Sequence, residues 1–303
     1  MREFLFALAG HVRDSALAIF GRRAHRRAGG SSEAGDAQFD IDAVAERAVR
    51  EFAEAHGRSV ALFTEERGLC QIGTSPEHLL IVDPIDGSRG AAAGLETCCI
   101  SIAAAPFDRG ARLGDVQYAL LTEVASGAWM YADRHGALES TGYREALPNL
   151  STLTDPDRMF WSIEFNGHPA EIMTAAYGHL IDRSANPGGI FVWSSACYSI
   201  SRIITGQLDA YVDIGNRLLR DHPRLTSRFL DAGRGHILHL FPYDLAAAVF
   251  LAEKAGVIIT DGYGESLADI RLTDTSPENQ RSCIAASTRE LHRRLLSEIR
   301  WNL

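Results

Sequence analysis

The sequence contains few cysteines, and their spacing is typical of neither a disulfide framework nor a zinc site. Its 303 residues include five cysteines, with no pair in the C-x2-C arrangement common in zinc sites. Most lie in apolar segments; they are Cys70, Cys98, Cys99, Cys197 and Cys283. Such cysteines are usually small buried hydrophobic residues in a protein of a reducing compartment. We therefore expect a cytoplasmic protein without disulfides.

Long apolar runs and an excess of positive charge are also absent. No apolar run approaches the roughly 18 residues that a membrane-spanning helix needs. The 30 basic residues are outnumbered by 39 acidic residues, which gives a net charge of −9. This balance argues against a general nucleic-acid binder or a protein of anionic membrane surfaces. We therefore expect a small molecule as the ligand, with no nucleic acid polymer and no membrane as partner.

Strand and helix signals alternate along the chain, with a break near residue 150. Alternation of this kind predicts a layered α/β architecture. We divide the chain into an N-terminal α+β domain, residues 1–150, and a C-terminal α/β domain, residues 151–303. The glycine- and serine-rich stretch 29–35 predicts a mobile surface loop.

The most informative pattern runs from Asp83 to Ser88 and reads Asp-Pro-Ile-Asp-Gly-Ser. It follows the apolar strand signal at 79–82, so Asp83 and Asp86 would lie at a strand end. Paired carboxylates there can hold hard divalent cations, which prefer oxygen ligands. Gly87 permits close backbone approach, and the start of a helix can bind phosphate. The same pattern is compatible with a turn whose aspartates only cap a helix.

Further acidic residues support the metal interpretation. Glu65 and Glu66 end the preceding strand signal, so neighbouring strands could present them beside Asp83. Asp244 stands at the beginning of an apolar helix, where an aspartate by itself is more often a helix cap.

Taken together, these segments resemble the successive signatures of the inositol monophosphatase family. The resemblance rests on the segments 64–66, 83–88, 195–211 and 243–256, and their order and approximate spacing hold over residues 40–290. It implies an αβαβα sandwich of mixed sheets and helices, as in sugar phosphatases. It also implies a lithium-sensitive phosphatase of small phosphate esters that uses two or three Mg²⁺ ions and forms a homodimer.

The resemblance assigns roles to individual residues. The metal ligands would be Glu65, Asp83, the carbonyl group of Ile85, Asp86 and Asp244, with Glu66 in support. Ser88 would orient or deprotonate the attacking water, and Asp42 would accept a hydrogen bond from the Ser88 hydroxyl group. Glu65 would be the third catalytic residue. The substrate-binding residues would be Asp86, Gly87, Ser88, Ser195, Ala196 and Asp213.

An insert between Asp213 and Asp244 departs from the family pattern, where this connection is usually very short. Residues 216–241 carry five arginines against two aspartates. Long loops in compact domains are often lids or binding elements. We therefore predict that the insert closes over the site and that Arg217 and Arg220 bind an additional anionic group. The alternative is a solvated helical hairpin or a subunit contact.

The predicted function is Mg²⁺-dependent hydrolysis of a sugar or cyclitol phosphate, such as inositol monophosphate or fructose 1,6-bisphosphate, by metal-activated water. The basic insert would favour a 3′-phosphoadenosine 5′-phosphate phosphatase instead. The segment 89–96, which departs from the family pattern, leaves open a family member that binds anions without hydrolysis. The sequence contains no P-loop or nucleophile-elbow pattern that would indicate other chemistry.

Overall fold

The computed structural model describes residues 1–26, 28–32 and 35–303. The helices are α1 (Arg2–Leu17), α2 (Asp40–His56), α3 (Ser88–Ala93), α4 (Ala170–Ser184), α5 (Ala196–Ile204), α6 (Gly215–Asp221), α7 (Thr226–Ala232), α8 (Pro242–Ala255) and α9 (Arg289–Glu298). The first nine strands are β1 (Ala28–Ser31), β2 (Ala37–Phe39), β3 (Val60–Thr64), β4 (Gly68–Ile72), β5 (His78–Asp86), β6 (Cys99–Pro106), β7 (Tyr118–Glu123), β8 (Trp129–Asp133) and β9 (Glu139–Thr141). The remaining strands are β10 (Phe160–Ile163), β11 (Gly189–Phe191), β12 (Ala210–Asp213), β13 (Ile258–Thr260) and β14 (Cys283–Ala286). Among these described residues, no helix is long and apolar enough to cross a bilayer.

Two mixed sheets form the framework. The first has the order β4-β3-β5-β6-β7-β8-β9 and the second the order β11-β10-β12-β14-β13. In the first sheet β3 and β5 are parallel, and in the second β10 is parallel to β11 and β12. The chain passes from one sheet to the other between 141 and 160. The division into two domains near residue 150 stays a prediction.

The layers follow from the alternation of apolar side chains. On β3, Val60 and Leu62 belong to the apolar cluster beneath α1 and α2, whereas Ala61 and Phe63 point into the cluster between the two sheets. That central cluster contains the apolar faces of α5 and α8. On the far side, α4 and α9 cover the second sheet. The predicted αβαβα sandwich is therefore confirmed.

Strand β5 extends further than the sequence indicates. Its pairing with β3 ends at Val82. Its pairing with β6 continues to Asp83, opposite Ser101, and after a break in register resumes at Asp86, opposite Cys99. The residues between the two aspartates therefore form a bulge, which redirects the strand. Proline is tolerated at such a bulge because no ladder hydrogen bond is lost there. Both aspartates are thus held by a sheet and not by a free turn.

The stretch 29–35 also differs from the predicted loop. Residues 28–31 form β1, which pairs antiparallel with β2. Glycine and serine favour turns on average, but pairing with β2 satisfies the backbone of this short ribbon and overrides that preference. Glu33 and Ala34 lie outside the described residues.

The insert is helical and packs against the C-terminus. Helices α6 and α7 occupy half of it. The Arg217 guanidinium lies over the Trp301 ring, 3.6 Å from its centre, and donates to the Gly262 carbonyl group. Arg224 donates to the carbonyl group of Leu303. Two arginines of the insert, Arg217 and Arg224, therefore attach it to the last residues of the sequence.

Replacing Arg217 with alanine should destabilise the protein by about 1–2 kcal/mol, because it removes a cation–π contact and a hydrogen bond. For a chain of this size, thermal denaturation should show a fall in Tm of roughly 2–6 °C. The control is Arg228→Ala, which removes an exposed ion pair with Glu171 and should change stability by less than about 0.5 kcal/mol. Equal effects of the two substitutions would contradict the anchoring role of Arg217.

Candidate metal and phosphate site

Four acidic side chains line one cavity of about 70 Å³; they are Glu65, Asp83, Asp86 and Asp244. Glu65 directly follows β3, the next two lie on β5, and Asp244 is in the first turn of α8. The three aspartates each offer an oxygen atom within 4.8 Å of the others. Residues separated by up to 179 positions in the sequence therefore meet at one place.

A hydrogen bond fixes each of the three aspartates through one carboxylate oxygen. The Ile85 amide donates to Asp83 Oδ1 over 3.0 Å, and the Phe241 amide donates to Asp244 Oδ2 over 2.8 Å. Asp86 Oδ2 accepts from the Cys197 amide at the start of α5. Within the described residues, the second oxygen of each carboxylate makes no hydrogen bond and is available to a cation.

The position of Asp244 fits both of the roles that the sequence suggested. Its bond from Phe241 caps α8, and one of its carboxylate oxygens lies within 4.8 Å of oxygens of Asp83 and Asp86. A helix cap and a metal ligand are compatible because one carboxylate has two oxygen atoms.

Crowding of like charges makes the cavity unfavourable without a cation. Burial and mutual repulsion raise the pKa of Glu65, Asp83 and Asp244 well above their usual values. Burial also raises the pKa of Asp86, although its hydrogen bonds from α5 and Ser195 oppose the shift. In the part of the chain that is described, no basic side chain forms an ion pair with these four. An all-oxygen donor set of this kind fits Mg²⁺.

The residues after β5 form a second wall of the cavity. Gly87 has φ 93°, and a Cβ atom there would lie 2.7 Å from the Thr97 carbonyl oxygen. Only glycine fits this position without strain. Ser194, with φ 51°, and Ser195 lie opposite, where α5 begins. The backbone on both sides is therefore close enough to contact a small anion.

Ser88 and Asp42 form a hydrogen-bonded pair at this wall. Ser88 Oγ donates to Asp42 Oδ1, while Asp42 Oδ2 accepts from the Phe39 amide over 2.7 Å. Burial raises the pKa of Asp42 to about 6, so the carboxyl group is mainly ionised at neutral pH. Ser88 lines the cavity with Asp42 held behind it. The pair can therefore pass a proton from the cavity to a buried carboxylate.

A third part of the lining comes from the second half of the chain, and we call it the C-terminal wall. It consists of Glu164, His168, Asp213 and His239. Burial raises the pKa of Asp213 to about 7 and raises that of Glu164. Of these four residues, only Asp213 was predicted from the sequence. Glu164 and His168 could have been suspected, because they are polar residues that follow the apolar strand β10. The only sequence signal for His239 was its position in the insert.

Asp36 and Arg89 also line the cavity. Their side chains form an ion pair with a separation of 2.8 Å, and Asn166 donates to the same carboxylate over 2.9 Å. The only arginine of the described lining is therefore already paired with an acid.

A comparison with known proteins identifies the relatives of this chain. The profile of the inositol monophosphatase family matches residues 1–302. The chain belongs to the inositol monophosphatase family. A fructose-1,6-bisphosphatase/inositol-1-monophosphatase from Archaeoglobus fulgidus is 26% identical over 293 residues, which is 97% of this chain and 95% of the relative. A bifunctional NADP phosphatase/NAD kinase from Methanococcus maripaludis is 22% identical over 263 residues, 81% of this chain and 40% of the relative.

Solved structures share the fold of this family member. The extragenic suppressor protein suhB from Bartonella henselae has a TM-score of 0.70 at 17% identity and covers 100% of this chain and 99% of its own. An inositol monophosphatase from Zymomonas mobilis has a TM-score of 0.64 at 18% identity, with coverage of 98% and 97%. Likeness at this level of identity concerns the architecture alone.

The structure brings most of the residues predicted from the family resemblance to the cavity. Those that line it are Glu65, Asp83, Ile85, Asp86, Gly87, Ser88, Ser195, Ala196, Asp213 and Asp244. Glu66 lies apart, where its carboxylate accepts from the Gln38 side chain.

Arg217 and Arg220 require a correction, because the structure does not place them at this cavity. Arg217 is held by Trp301 and Gly262, and Arg220 donates to the Glu278 carbonyl group. Arg217 also pairs with Asp221, whereas one nitrogen of the exposed Arg220 donates to the carbonyl groups of Glu278 and Gln280. We therefore remove both residues from the substrate-binding set.

Mg²⁺ should stabilise this family member more strongly at pH 7.5 than at pH 5. Carboxyl groups with raised pKa values bind protons in the folded state that they release on unfolding. In EDTA, stability should therefore fall as the pH rises from about 4 towards 7. Mg²⁺ replaces the lost protons as counter-charge, and we expect its addition to raise Tm by roughly 5 °C at pH 7.5 and by less at pH 5. Differential scanning calorimetry measures both increments; equal increments, or none, would contradict the cation site.

Proposed function

We propose that this protein is a Mg²⁺-dependent phosphomonoesterase whose substrate is a sugar or cyclitol monophosphate. The observation that carries the proposal is the group of four carboxylates beside the Ser88–Asp42 pair, which no basic side chain of the described residues neutralises. Membership of the inositol monophosphatase family supports it, as does the similarity to the archaeal fructose-1,6-bisphosphatase/inositol-1-monophosphatase. The proposal includes a cytoplasmic location, a homodimer and inhibition by Li⁺, all expected from the sequence.

The acidic residues of the cavity would bind the Mg²⁺ ions. Glu65, Asp83, Asp86 and Asp244, with the Ile85 carbonyl group, would hold the ions. When bound, Mg²⁺ supplies positive charge to the phosphate and acidifies water. The hydrogen bonds from the chain's own amides keep one oxygen of each aspartate in place, so the ligands are oriented before a cation arrives.

Ser88 and Asp42 would handle the proton of the attacking water. The Ser88 hydroxyl group already donates to Asp42, so its oxygen can accept a hydrogen bond from water in the cavity. As the water attacks phosphorus, its proton passes to Ser88 Oγ and the serine proton passes to Asp42. Because the pKa of Asp42 is raised to about 6, this carboxylate is a better proton acceptor than an ordinary aspartate and is still ionised at pH 7.

The charge of the cavity favours a monophosphate over the bisphosphates considered from the sequence. The C-terminal wall contributes Glu164 and Asp213, and Arg89 is paired with Asp36. The two arginines of the insert that were predicted to bind a further anionic group, Arg217 and Arg220, do not line the cavity. Fructose 1,6-bisphosphate and 3′-phosphoadenosine 5′-phosphate would each bring a second dianion towards acidic residues, which is unfavourable. Retention of all the acidic ligands argues against a family member that only binds anions.

Asp83→Asn should reduce Mg²⁺-dependent phosphate release by at least about 100-fold, because the substitution removes one charge from the cation site. Phosphate release from inositol 1-phosphate, with and without Li⁺, is the measurement, and circular dichroism checks the fold. Asp182→Asn is the matched control, since Asp182 is exposed on α4 and should leave the rate unchanged. Full activity of Asp83→Asn would exclude the proposed function.

Ser88→Ala should lower kcat about 100-fold and leave the Mg²⁺ dependence nearly unchanged, because Ser88 handles a proton and donates no carboxylate to the cation. Ser88→Thr keeps the hydroxyl group and should restore most of the rate. Steady-state kinetics at several Mg²⁺ concentrations separate the two effects. An alanine variant as active as the threonine variant would remove Ser88 from the proton path.

A further inference from the structure

An ion pair links helix α5 to the first sheet inside the core. Arg202 Nη2, on α5, donates to Glu123 Oε1 at the end of β7. The two residues are only 5% and 8% exposed. Of the ion pairs among the described residues, this is the only one in which both partners are buried. Neither residue lines the acidic cavity, and the proposed reaction does not use them.

The Arg202 guanidinium group has a partner at each of its nitrogen atoms. Besides the bond to Glu123, its Nη1 donates to Gln207 Oε1 over 3.0 Å and its Nε donates to Ser201 Oγ over 3.2 Å. It also lies over the Tyr198 ring, with its central carbon 4.4 Å from the ring centre. A planar fork with three bonded nitrogens and an aromatic ring at its face is restricted to one orientation.

The register of three neighbouring strands connects Glu123 to the acidic cavity. Glu123 on β7 lies opposite Cys99 on β6, and Cys99 lies opposite Asp86 on β5. Since neighbouring strands are about 4.8 Å apart, Glu123 and Asp86 are separated by roughly 10 Å across the sheet. The rise of a helix places Arg202 about 7.5 Å beyond Cys197. Helix α5 can therefore contact Asp86 with its first turn and Glu123 with the Arg202 side chain.

The first turn of α5 holds Asp86. Asp86 Oδ2 accepts from the Cys197 amide over 2.6 Å, from the Tyr198 amide over 3.2 Å and from Ser195 Oγ over 2.7 Å. All three donors belong to α5 or to the residue before it. The apolar side of α5 packs between the sheets, but apolar contacts are not directional. The ion pair of Arg202 is directional and ties the same helix to the same sheet.

We propose that Arg202 and Glu123 are positioning residues for the cation site. The pair fixes α5 on the first sheet, and α5 then holds Asp86 by one oxygen so that the other remains available to Mg²⁺. This inference rests on the proposed function, in which Asp86 binds Mg²⁺. A buried ion pair is often no more stabilising than an apolar pair of similar volume, because both charges must leave water. Partners that orient a metal ligand, in contrast, typically change metal affinity about 10- to 100-fold when they are removed.

The test replaces the pair with apolar side chains. In Arg202→Met combined with Glu123→Leu, which we call the core variant, the interior stays filled but the directional contact is lost. Calorimetric titration with Mg²⁺ at pH 7.5 should give a dissociation constant about 10-fold higher than that of the parent protein. A pair that only stabilises the fold would instead lower Tm and leave the dissociation constant within twofold of the parent, which would overturn the inference.

The matched control removes another ion pair by the same substitutions. Arg183 on α4 pairs with Glu298 on α9, on the far side of the second sheet. Arg183→Met combined with Glu298→Leu should therefore leave the dissociation constant of Mg²⁺ unchanged. An equal loss of affinity in the control and in the core variant would indicate a general effect on folding and would contradict the positioning role.

A single substitution decides the case if the core variant does not fold. Arg202→Lys keeps the positive charge beside Glu123 but has no planar fork. We expect the dissociation constant of Mg²⁺ to rise about threefold, which is less than in the core variant because the charge is retained. A dissociation constant equal to that of the parent protein would argue that the orientation of Arg202 does not matter to the site, and the inference would be wrong.

Amide hydrogen exchange measures the positioning directly, without Mg²⁺ and without turnover. In EDTA, the Cys197 and Tyr198 amides of the core variant, or of Arg202→Lys, should exchange about 10-fold faster than in the parent protein, because the turn is held less firmly on Asp86. The Phe241 amide, which donates to Asp244 on α8, is the internal reference and should exchange at the parent rate. Unchanged exchange at Cys197 and Tyr198 would overturn the inference. If the parent protein hydrolyses no phosphate ester or binds no Mg²⁺, the proposed function fails, and the exchange rates alone decide whether the pair positions α5.

Discussion

Repulsion among crowded carboxylates is the constraint around which the rest of this structure is arranged. Asp83, Asp86, Asp244 and Glu65 share one cavity, and their raised pKa values record the free energy needed to ionise them together. Folding tolerates the cluster because backbone amides stabilise one oxygen of each aspartate. The remaining repulsion would favour the binding of a cation. A site built in this way exchanges stability of the free protein for affinity towards the ion.

The central helix layer explains how such a cluster can be assembled. Helix α5 donates its first amides to Asp86 on the first sheet, and α8 carries Asp244 to the same place. Both helices are buried between the sheets, where apolar contacts fix their positions. The catalytic geometry therefore depends on the packing of the whole core.

Patterns of neighbouring residues in the sequence predicted individual strands and short acidic motifs. The apolar run before Asp83 predicted β5, and the acid–proline–acid spacing predicted two of the carboxylates that meet in the cavity, because strand ends and short motifs are properties of neighbouring residues. The bulge between Asp83 and Asp86 was not predictable, since it arises from pairing with β6. The arginines of the insert misled for a similar reason. Their charge suggested an anion, but the partners of Arg217 are Trp301 and Gly262, which only folding brings near.

The contact between His168 and His239 could not be predicted from local sequence either. His239 stands 71 positions after His168, and nothing in either local sequence indicates that the two rings touch. The insert departs from the family pattern, yet the residues that it contributes to the described cavity lining are Leu238, His239, Leu240 and Phe241, without an arginine.

The shared interior between the two sheets has a consequence for how this protein can be altered or inherited. Either half alone would expose one apolar sheet face and hold only part of the carboxylate cluster, since Asp83 and Asp244 belong to different halves. Grafting one half onto another scaffold would therefore transfer neither stability nor chemistry. A chimera of two relatives would keep the fold only if both sequences supply matching interior helices. The smallest unit that could be exchanged between relatives is therefore nearly the complete polypeptide.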